Sequence, residues 1–512
     1  MIERLRLAGR LVLLTLLSAA SLRAATLPME NQPWVRVDTE GVAVFSNAEP
    51  RRALILSEDL EALRRALGEL TTLSGLTPVP TRIFLFSTDR SMIPYKHRYQ
   101  GEPASISGAF YSRPYGDYIL VNGAKRQEAR LTIYHEYMHA VLRSHLPDLP
   151  LWLEEGLAEL FSTFEKVDGA YRIGRPLKRH LNELAKGEPL ALAELFRLDV
   201  TSPRYHEFDK QGELYARSWE LVHYLLLGNE TRRAHMLRFL HLTFGGMEQE
   251  QAFKTAFGGA HEVLDKELAE YREKSFEPRV VDLEPIRPDL FKLRSVPYPQ
   301  ILVHLGDLLI AQGDRERDAV FHFEEALRRN PQNGAAVAGL GLVAAETREY
   351  AKARALFRKA VQAAPTDARL HYHYGASLLV LGRGAAASKR QEAHGHLRRS
   401  VELHPDFGPA WAGLAESLEL IDTSSDARSP EGKSVGAEKE LLPEGDEVLR
   451  LLLFYVRNQQ RSEAETLFDK YFESEPPAGP KARARRLAAE RILTGLTWLE
   501  GKDEAEDFDL VP

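Results

Sequence analysis

Tyr134-His135-Glu136-Tyr137-Met138-His139-Ala140, followed after a short break by Pro150-Leu151-Trp152-Leu153-Glu154-Glu155-Gly156-Leu157-Ala158-Glu159, is the pair of segments from which the rest of the chain is read. On a helix, positions four apart lie one turn apart and differ by about 40° in azimuth, so His135 and His139 can aim both imidazoles at one point. That makes two ligands of a tetrahedral zinc site. Glu136 sits on the shoulder of the same face, suited less to ligation than to holding a water at the metal and taking its proton.

A zinc ion that does chemistry needs a third protein ligand and an open position. From His139 the helix can run to about Leu146, Pro147-Asp148-Leu149-Pro150 forces a turn, and a new helix begins near Leu151. The outgoing rise is roughly 10 Å and the return to Glu155 is of similar length, so an antiparallel hairpin brings that carboxylate back to the histidines. Glu159, one turn further on, shares the face of Glu155 and is placed to accept the outward N–H of a ligand histidine. Glu154 is rotated by about 100° and is the weaker candidate for third ligand. An HExxH match alone also occurs by chance on charged helices; its weight here comes from the W-L-x-E-G-L-A-E segment at a distance that geometry can use.

These residues resemble the gluzincin metallopeptidases, in particular the small bacterial peptidase MA-like domains. The resemblance implies that His135, His139 and Glu155 bind one zinc per chain and that Glu136 is the general base. It also directs attention to Leu214-Tyr215-Ala216-Arg217-Ser218-Trp219-Glu220-Leu221-Val222. In gluzincin aminopeptidases a similar tyrosine-bearing helix places a phenol beside the oxyanion of the tetrahedral intermediate, and Tyr215 is similar to that residue. Those enzymes usually carry Lys-Gly where this chain has Arg217-Ser218 at a different offset, so a packing role for Tyr215 stays open.

The chain has 512 residues, of which 44% are hydrophobic and 28% charged, enough for more than one core. A net charge of −7 gives no electrostatic reason to expect nucleic acid, and that partner class is set aside. Residues 1–25 carry Arg4, Arg6 and Arg10, then Leu11 to Leu17, then small residues ending at Ala24-Ala25: the layout of a secretory signal. Export to the periplasm or medium is the expectation, with an uncleaved anchor as the alternative. No later apolar run is long enough to span a membrane after signal cleavage. With no cysteine, neither a lipid anchor nor a disulfide framework is available.

Residues 26–275 read as an α+β metallopeptidase-like domain, with a small sheet, the HExxH helix and a helical subdomain. Trp34 to Asp38 and Val42 to Ser46 are strands around Glu40-Gly41, and a helix runs from about Ala53 to Leu73. Arg82 to Phe86 is a buried-strand candidate, and Ile106 to Phe110 with Tyr118 to Val121 forms another pair. Ser107 to Tyr111 is the candidate edge for an extended substrate, with an ordinary edge strand as the default. Tyr95, His97 and Tyr99 read as surface or core residues; His206 is placed to approach a zinc-bound intermediate, with a solvent-facing loop histidine as the preferred reading. Residues 276–299, rich in proline, read as a linker.

Residues 300–421 have a period. Pro331 and Pro365 lie 34 apart, each closing a helix pair with small residues such as Ala319 and Ala326, or Ala353 and Ala360, at fixed positions. This is the tetratricopeptide pattern, an all-α solenoid whose concave face is expected to hold a protein partner or a substrate segment. Residues 422–447 read as a mobile polar insertion, 448–500 as a helical hairpin and cap, and 501–512 as an acidic tail. The histidines at 371, 373, 394 and 396 alternate by two, which favours solvated repeat positions over a second metal site.

The function expected is therefore an exported zinc metallopeptidase acting on peptide or protein. Two rivals stand beside it. One is a catalytically silent, zinc-stabilised scaffold working through its repeats. The other is an exported HExxH protease of the kind that monitors outer-membrane assembly, in which the third glutamate lies much further along the chain.

Overall fold

The computed structural model describes residues 26–417, apart from 71–78, 100, 146–148, 207, 245–246, 260, 275, 381–385, 405–406, 411 and 415. The signal, insertion, terminal hairpin and tail read above lie outside the described residues.

The chain opens with strands β1 (Trp34–Asp38) and β2 (Val42–Ser46), joined at Gly41, whose φ of +76° suits glycine. Helix α1 (Pro50–Leu70) then crosses over to β3 (Thr81–Phe86), which runs parallel to β2. A hairpin follows, β4 (Gly108–Arg113) and β5 (Gly116–Asn122), with β5 parallel to β3 and β4 on the outside. Helices α2 (Arg126–His145) and α3 (Leu151–Ser162) come next, then the short strands β6 (Glu165–Val167) and β7 (Ala170–Ile173). The helical subdomain contains α4 (Lys178–Leu184), α5 (Phe208–His223), α6 (Glu230–Phe244), α7 (Gln249–Phe257) and α8 (His261–Arg272). Shorter turns between them include Pro203–His206.

Residues 276–299 are not a free linker. Strand β8 (Arg279–Val281) pairs with β7, and β9 (Leu293–Val296) pairs with β1 at the edge of the main sheet, whose order is β9-β1-β2-β3-β5-β4. The prolines that suggested a linker stand between or beside these strands. Pro285 and Pro288 lie between them, and Pro297 follows β9, so no ladder N–H is lost.

All six residues of β3 are buried, because the sheet is covered on both faces. The strand period divides them. Ile83 and Leu85, with Ile119 and Val121 of β5, face a core built with α1 and α2. Phe84 and Phe86, with Tyr118 and Leu120, face the opposite way into a core built with the repeats.

The C-terminal region is all-helical and tetratricopeptide-like. Among the described residues it forms three helical hairpins: α9 (Tyr298–Gln312) with α10 (Glu316–Arg329), α11 (Gly334–Glu346) with α12 (Tyr350–Ala363), and α13 (Ala368–Leu379) with α14 (Ala387–Leu403). A Cβ on Gly339 would come 2.3 Å from the Phe323 ring, so this glycine is what lets neighbouring repeats close.

The first helices of the hairpins line one face, across which Arg369 of α13 meets Asp307 of α9 at 3.3 Å. This face, expected to receive a partner, is taken in part by the chain's own sheet. The Phe45 ring lies 4.4 Å from His304, and Tyr115, in the β4–β5 turn, lies 4.9 Å from His373. Of the four repeat histidines read as solvated, His371 and His373 are buried and His394 and His396 half-buried, and His371 Nδ1 meets His396 Nδ1 at 2.9 Å. Alternation by two misleads here, because a solenoid helix packs against neighbours on several sides.

Candidate metal centre

Helices α2 and α3 form the antiparallel hairpin that the spacing predicts. Trp152, Leu153 and Leu157 of α3 are fully buried, so the second helix is fixed by its own apolar face. The closest approach is on the other side of α3. A Cβ on Gly156 would stand 2.4 Å from Val222 Cγ2 and 2.5 Å from the Ser218 carbonyl oxygen, so glycine here seats α5 directly against the site.

Within this frame three donor atoms converge. His135 Nε2 and His139 Nε2 are 3.1 Å apart, and they lie 3.5 Å and 3.6 Å from Glu155 Oε2. Ligand atoms of these three residues all fall within 4.8 Å of one another, a set that could hold a metal ion. Glu155 is 1% exposed, and its Oε2 is buried without a hydrogen-bond partner.

The surrounding groups fix which nitrogens face inward. His139 Nδ1 is 2.7 Å from Glu154 Oε1, so this nitrogen is the donor and Nε2 keeps its lone pair. His135 Nδ1 lies 3.5 Å from Glu159 Oε1, beyond a hydrogen bond, so Glu159 faces this ring without fixing its tautomer. Glu155 Oε1 is occupied separately, accepting from the Tyr205 hydroxyl at 3.2 Å. With both imidazoles neutral the centre presents three ligand atoms to a cation, which would replace the proton that Glu155 and Glu154 otherwise hold on His139.

Glu159 is the anchor predicted for a ligand histidine, and it is itself held by Arg179 Nη2 at 2.6 Å and His180 Nε2 at 3.2 Å. Burial works against its charge, but His180, His135 and Arg179 outweigh it and hold the carboxyl well below its ordinary range. Glu154, set aside as third ligand, orients His139. Sequence reasoning missed that role because it judged Glu154 only against the metal position and not against the far ring nitrogen. Arg143 braces Glu154 at 2.9 Å and lies over the Phe110 ring, 5.5 Å from its centroid.

Electrostatics follows from these neighbours. Absent a bound cation, burial lowers the His139 pKa, but Glu155 and Glu154 more than compensate, and it is pushed up to about 10. Burial raises Glu155, but His139 and His135 overcome it and bring it down to about 2. Glu136 is half-buried, and burial lifts its carboxyl above the ordinary range against the pull of His135 and His139. One turn before it, Thr132 abuts β4. A Cβ on Gly108 would come 2.4 Å from Thr132 Cγ2.

Tyr215 lies on α5 with its ring 6.2 Å from that of His135, edge to face, and burial followed by Glu155 keeps its phenol protonated far above neutrality. Tyr205 was not foreseen. It adjoins His206, which the sequence did single out, and whose side chain lies outside the described residues. His97 is drawn to the edge strand, with Nδ1 3.1 Å from the Tyr111 hydroxyl, whereas Tyr95 is buried beneath the repeats and Tyr99 is exposed.

Residues 130–243, which include every group of this centre, match a family described as proteins of unknown function, DUF1570. Residues 303–368 match a tetratricopeptide repeat family. No curated protein matches the chain significantly. Among solved structures, an O-GlcNAc transferase mutant of Thermobaculum terrenum is 21% identical with a TM-score of 0.23, covering 36% of this chain and 28% of its own. A thermophilic TPR protein of Thermus thermophilus is 20% identical with a TM-score of 0.24, covering 38% of this chain and 98% of its own. YrrB, described as a TPR protein with an unusual peptide-binding site, is 18% identical with a TM-score of 0.21, covering 37% of this chain and 89% of its own. No helix among the described residues is long and apolar enough to cross a membrane. The similarities are thus to a family without described function around the centre and to tetratricopeptide repeats beyond it.

Proposed function

We propose that this chain is an exported zinc-dependent peptidase of gluzincin type. The observation that carries the reading is the meeting of three candidate ligand atoms, His135 Nε2, His139 Nε2 and Glu155 Oε2, with the raised carboxyl of Glu136 on the next position of the same helix. Two imidazoles and a carboxylate are a set that zinc accepts while keeping a position open. Zinc, when bound, supplies polarisation of the scissile carbonyl and a water acidic enough to attack near neutral pH.

The chain's own residues do the rest. Glu136 takes a proton from the attacking water as its oxygen bonds to the carbonyl carbon, and delivers that proton to the leaving amine as the C–N bond breaks. A carboxyl lifted by burial carries the proton in both directions more readily than an ordinary surface glutamate. Tyr215, protonated throughout, is the donor assigned to the oxyanion. The outer edge of β4 is where an extended peptide would add by backbone hydrogen bonds. Export rests on the N-terminal arginines and apolar run.

The repeat match favours a second reading, a zinc-stabilised scaffold acting by protein–protein interaction. One experiment separates them. Zinc per chain is measured on purified wild type, Glu155→Ala and Glu136→Gln, and each is offered a peptide library. The peptidase reading expects one zinc in wild type and Glu136→Gln, loss in Glu155→Ala, and cleavage by wild type alone. Zinc without cleavage supports the scaffold; no zinc after reconstitution removes both.

A further inference from the structure

The solenoid meets the metallopeptidase-like domain at the strand beside the candidate active site. Arg315, in the turn between α9 and α10, is buried and donates to two carbonyls of the segment before β4, Pro94 O at 2.8 Å and Lys96 O at 2.7 Å. The carbonyl between them, Tyr95 O, accepts from Gln312 at 2.6 Å. The Tyr95 hydroxyl meets His322 Nε2 at 3.1 Å. His97, after Lys96, meets the Tyr111 hydroxyl of β4 at 3.1 Å. At the C-terminal end of β4, Arg113 donates to Ile310 O at 2.8 Å and lies 3.5 Å from Glu346.

An edge strand has one ladder partner and is the easiest strand of a sheet to displace. Here β4 pairs with β5 on one side only. Beside Tyr111, Phe110 turns to the other face and meets Arg143, which braces Glu154 on His139. The physical links therefore run from a turn of the first repeat, through the edge strand, to the far nitrogen of a donor histidine.

We infer that the repeats are a fixed buttress for the substrate edge, with Arg315 and Arg113 as positioning residues that set β4 against Glu136. This assigns the face lined by the first helices a partner in cis, the β4–β5 hairpin and the sheet behind it. Its catalytic meaning rests on the peptidase reading; its mechanical content does not.

The test is hydrogen exchange on full-length wild type, Arg315→Ala, Arg315→Lys and Arg113→Ala, comparing amides of 108–113 with those of β3. Exchange in the edge strand should rise at least about tenfold in Arg315→Ala and Arg113→Ala with β3 unchanged, and Arg315→Lys, keeping the charge and a donor, should fall between. Unchanged exchange in 108–113, or equal loosening of β3, overturns the buttress. On a peptide that wild type cleaves, the same variants should raise KM about tenfold with zinc per chain retained; a fall in kcat alone at unaltered KM overturns the positioning role. If wild type cleaves nothing, the peptidase reading falls, and the exchange arm still decides the buttress.

Discussion

Glu154 Oε1 lies 2.7 Å from Nδ1 of His139, the ring nitrogen that faces away from the donor cluster. This contact fixes the tautomer and points the Nε2 lone pair at Glu155. Partners of this kind typically change metal affinity by about 10–100-fold. Zinc affinity of Glu154→Ala, measured by competition with a chelating dye, should fall by that factor with stoichiometry retained, while Glu155→Ala should lose far more. Equal affinity in Glu154→Ala and wild type would mean that the hydrogen bond orients nothing.

Gly156 is the contact that lets α5 approach. Its Cβ would meet Val222 and the Ser218 carbonyl well inside van der Waals distance, and the backbone atom has no rotamer to yield. Gly156→Ala should cost about 1–3 kcal/mol in urea unfolding, as overpacking usually does, and should move Tyr215 away from His135. A neutral substitution would show that the two helices slide freely.

Much of this centre was legible because helix geometry is local. His135, Glu136 and His139 sit one turn apart whatever surrounds them, and two helices joined by a proline turn return Glu155 by arithmetic on the rise. What was not legible came from contacts far apart in sequence. Tyr205 reaches Glu155 only because the helical subdomain folds back, and nothing in Arg204-Tyr205-His206 signals a hydroxyl aimed at a carboxylate. The strands of 276–299 were hidden by prolines that stand clear of the ladders. Helical periodicity describes one helix, which makes His373 look solvated, whereas its burial is produced by Phe357 and Tyr115.

The sheet's second face depends on the repeats. Phe45, Phe84, Phe86 and Tyr118 are fully buried there, each contributing about 1.5–3 kcal/mol. Their sum is comparable with the whole stability of a domain, about 5–15 kcal/mol. A chain ending at Pro297 should therefore be insoluble or should bind a hydrophobic dye strongly, whereas a separable repeat module would leave residues 26–297 folded.

His322 makes that junction sensitive to acid. Burial holds its pKa down at about 4, against the usual value near 6.5, while its ring receives the Tyr95 hydroxyl and donates to Asp318 O. Between these values the unfolded chain binds a proton that the folded chain refuses. This contribution is therefore intact above about pH 6.5 and is lost as pH falls toward 4, reaching about 3 kcal/mol. Urea midpoints from pH 7.5 to 4.5 should fall less steeply for His322→Gln than for wild type. Parallel profiles would assign the acid sensitivity to other buried histidines.

Tyr205 and Tyr215 approach the same centre and should fail differently. The Tyr205 hydroxyl donates to Glu155 Oε1, leaving Oε2 for the cluster, so Tyr205→Phe frees the carboxylate to rotate and leaves an acceptor unpaired. Zinc should then bind several-fold more weakly, with a smaller effect on kcat at saturating zinc. Tyr215 borders His135 through its ring, which Phe preserves, and only the hydroxyl is lost. Tyr215→Phe should keep zinc affinity and lower kcat by about 10²–10³, the usual consequence of losing one oxyanion donor. If Tyr215→Phe instead cleaves at the wild-type rate, the residue packs against the histidine and the oxyanion donor must be sought elsewhere, with the Tyr111 hydroxyl beside His97 the next to substitute.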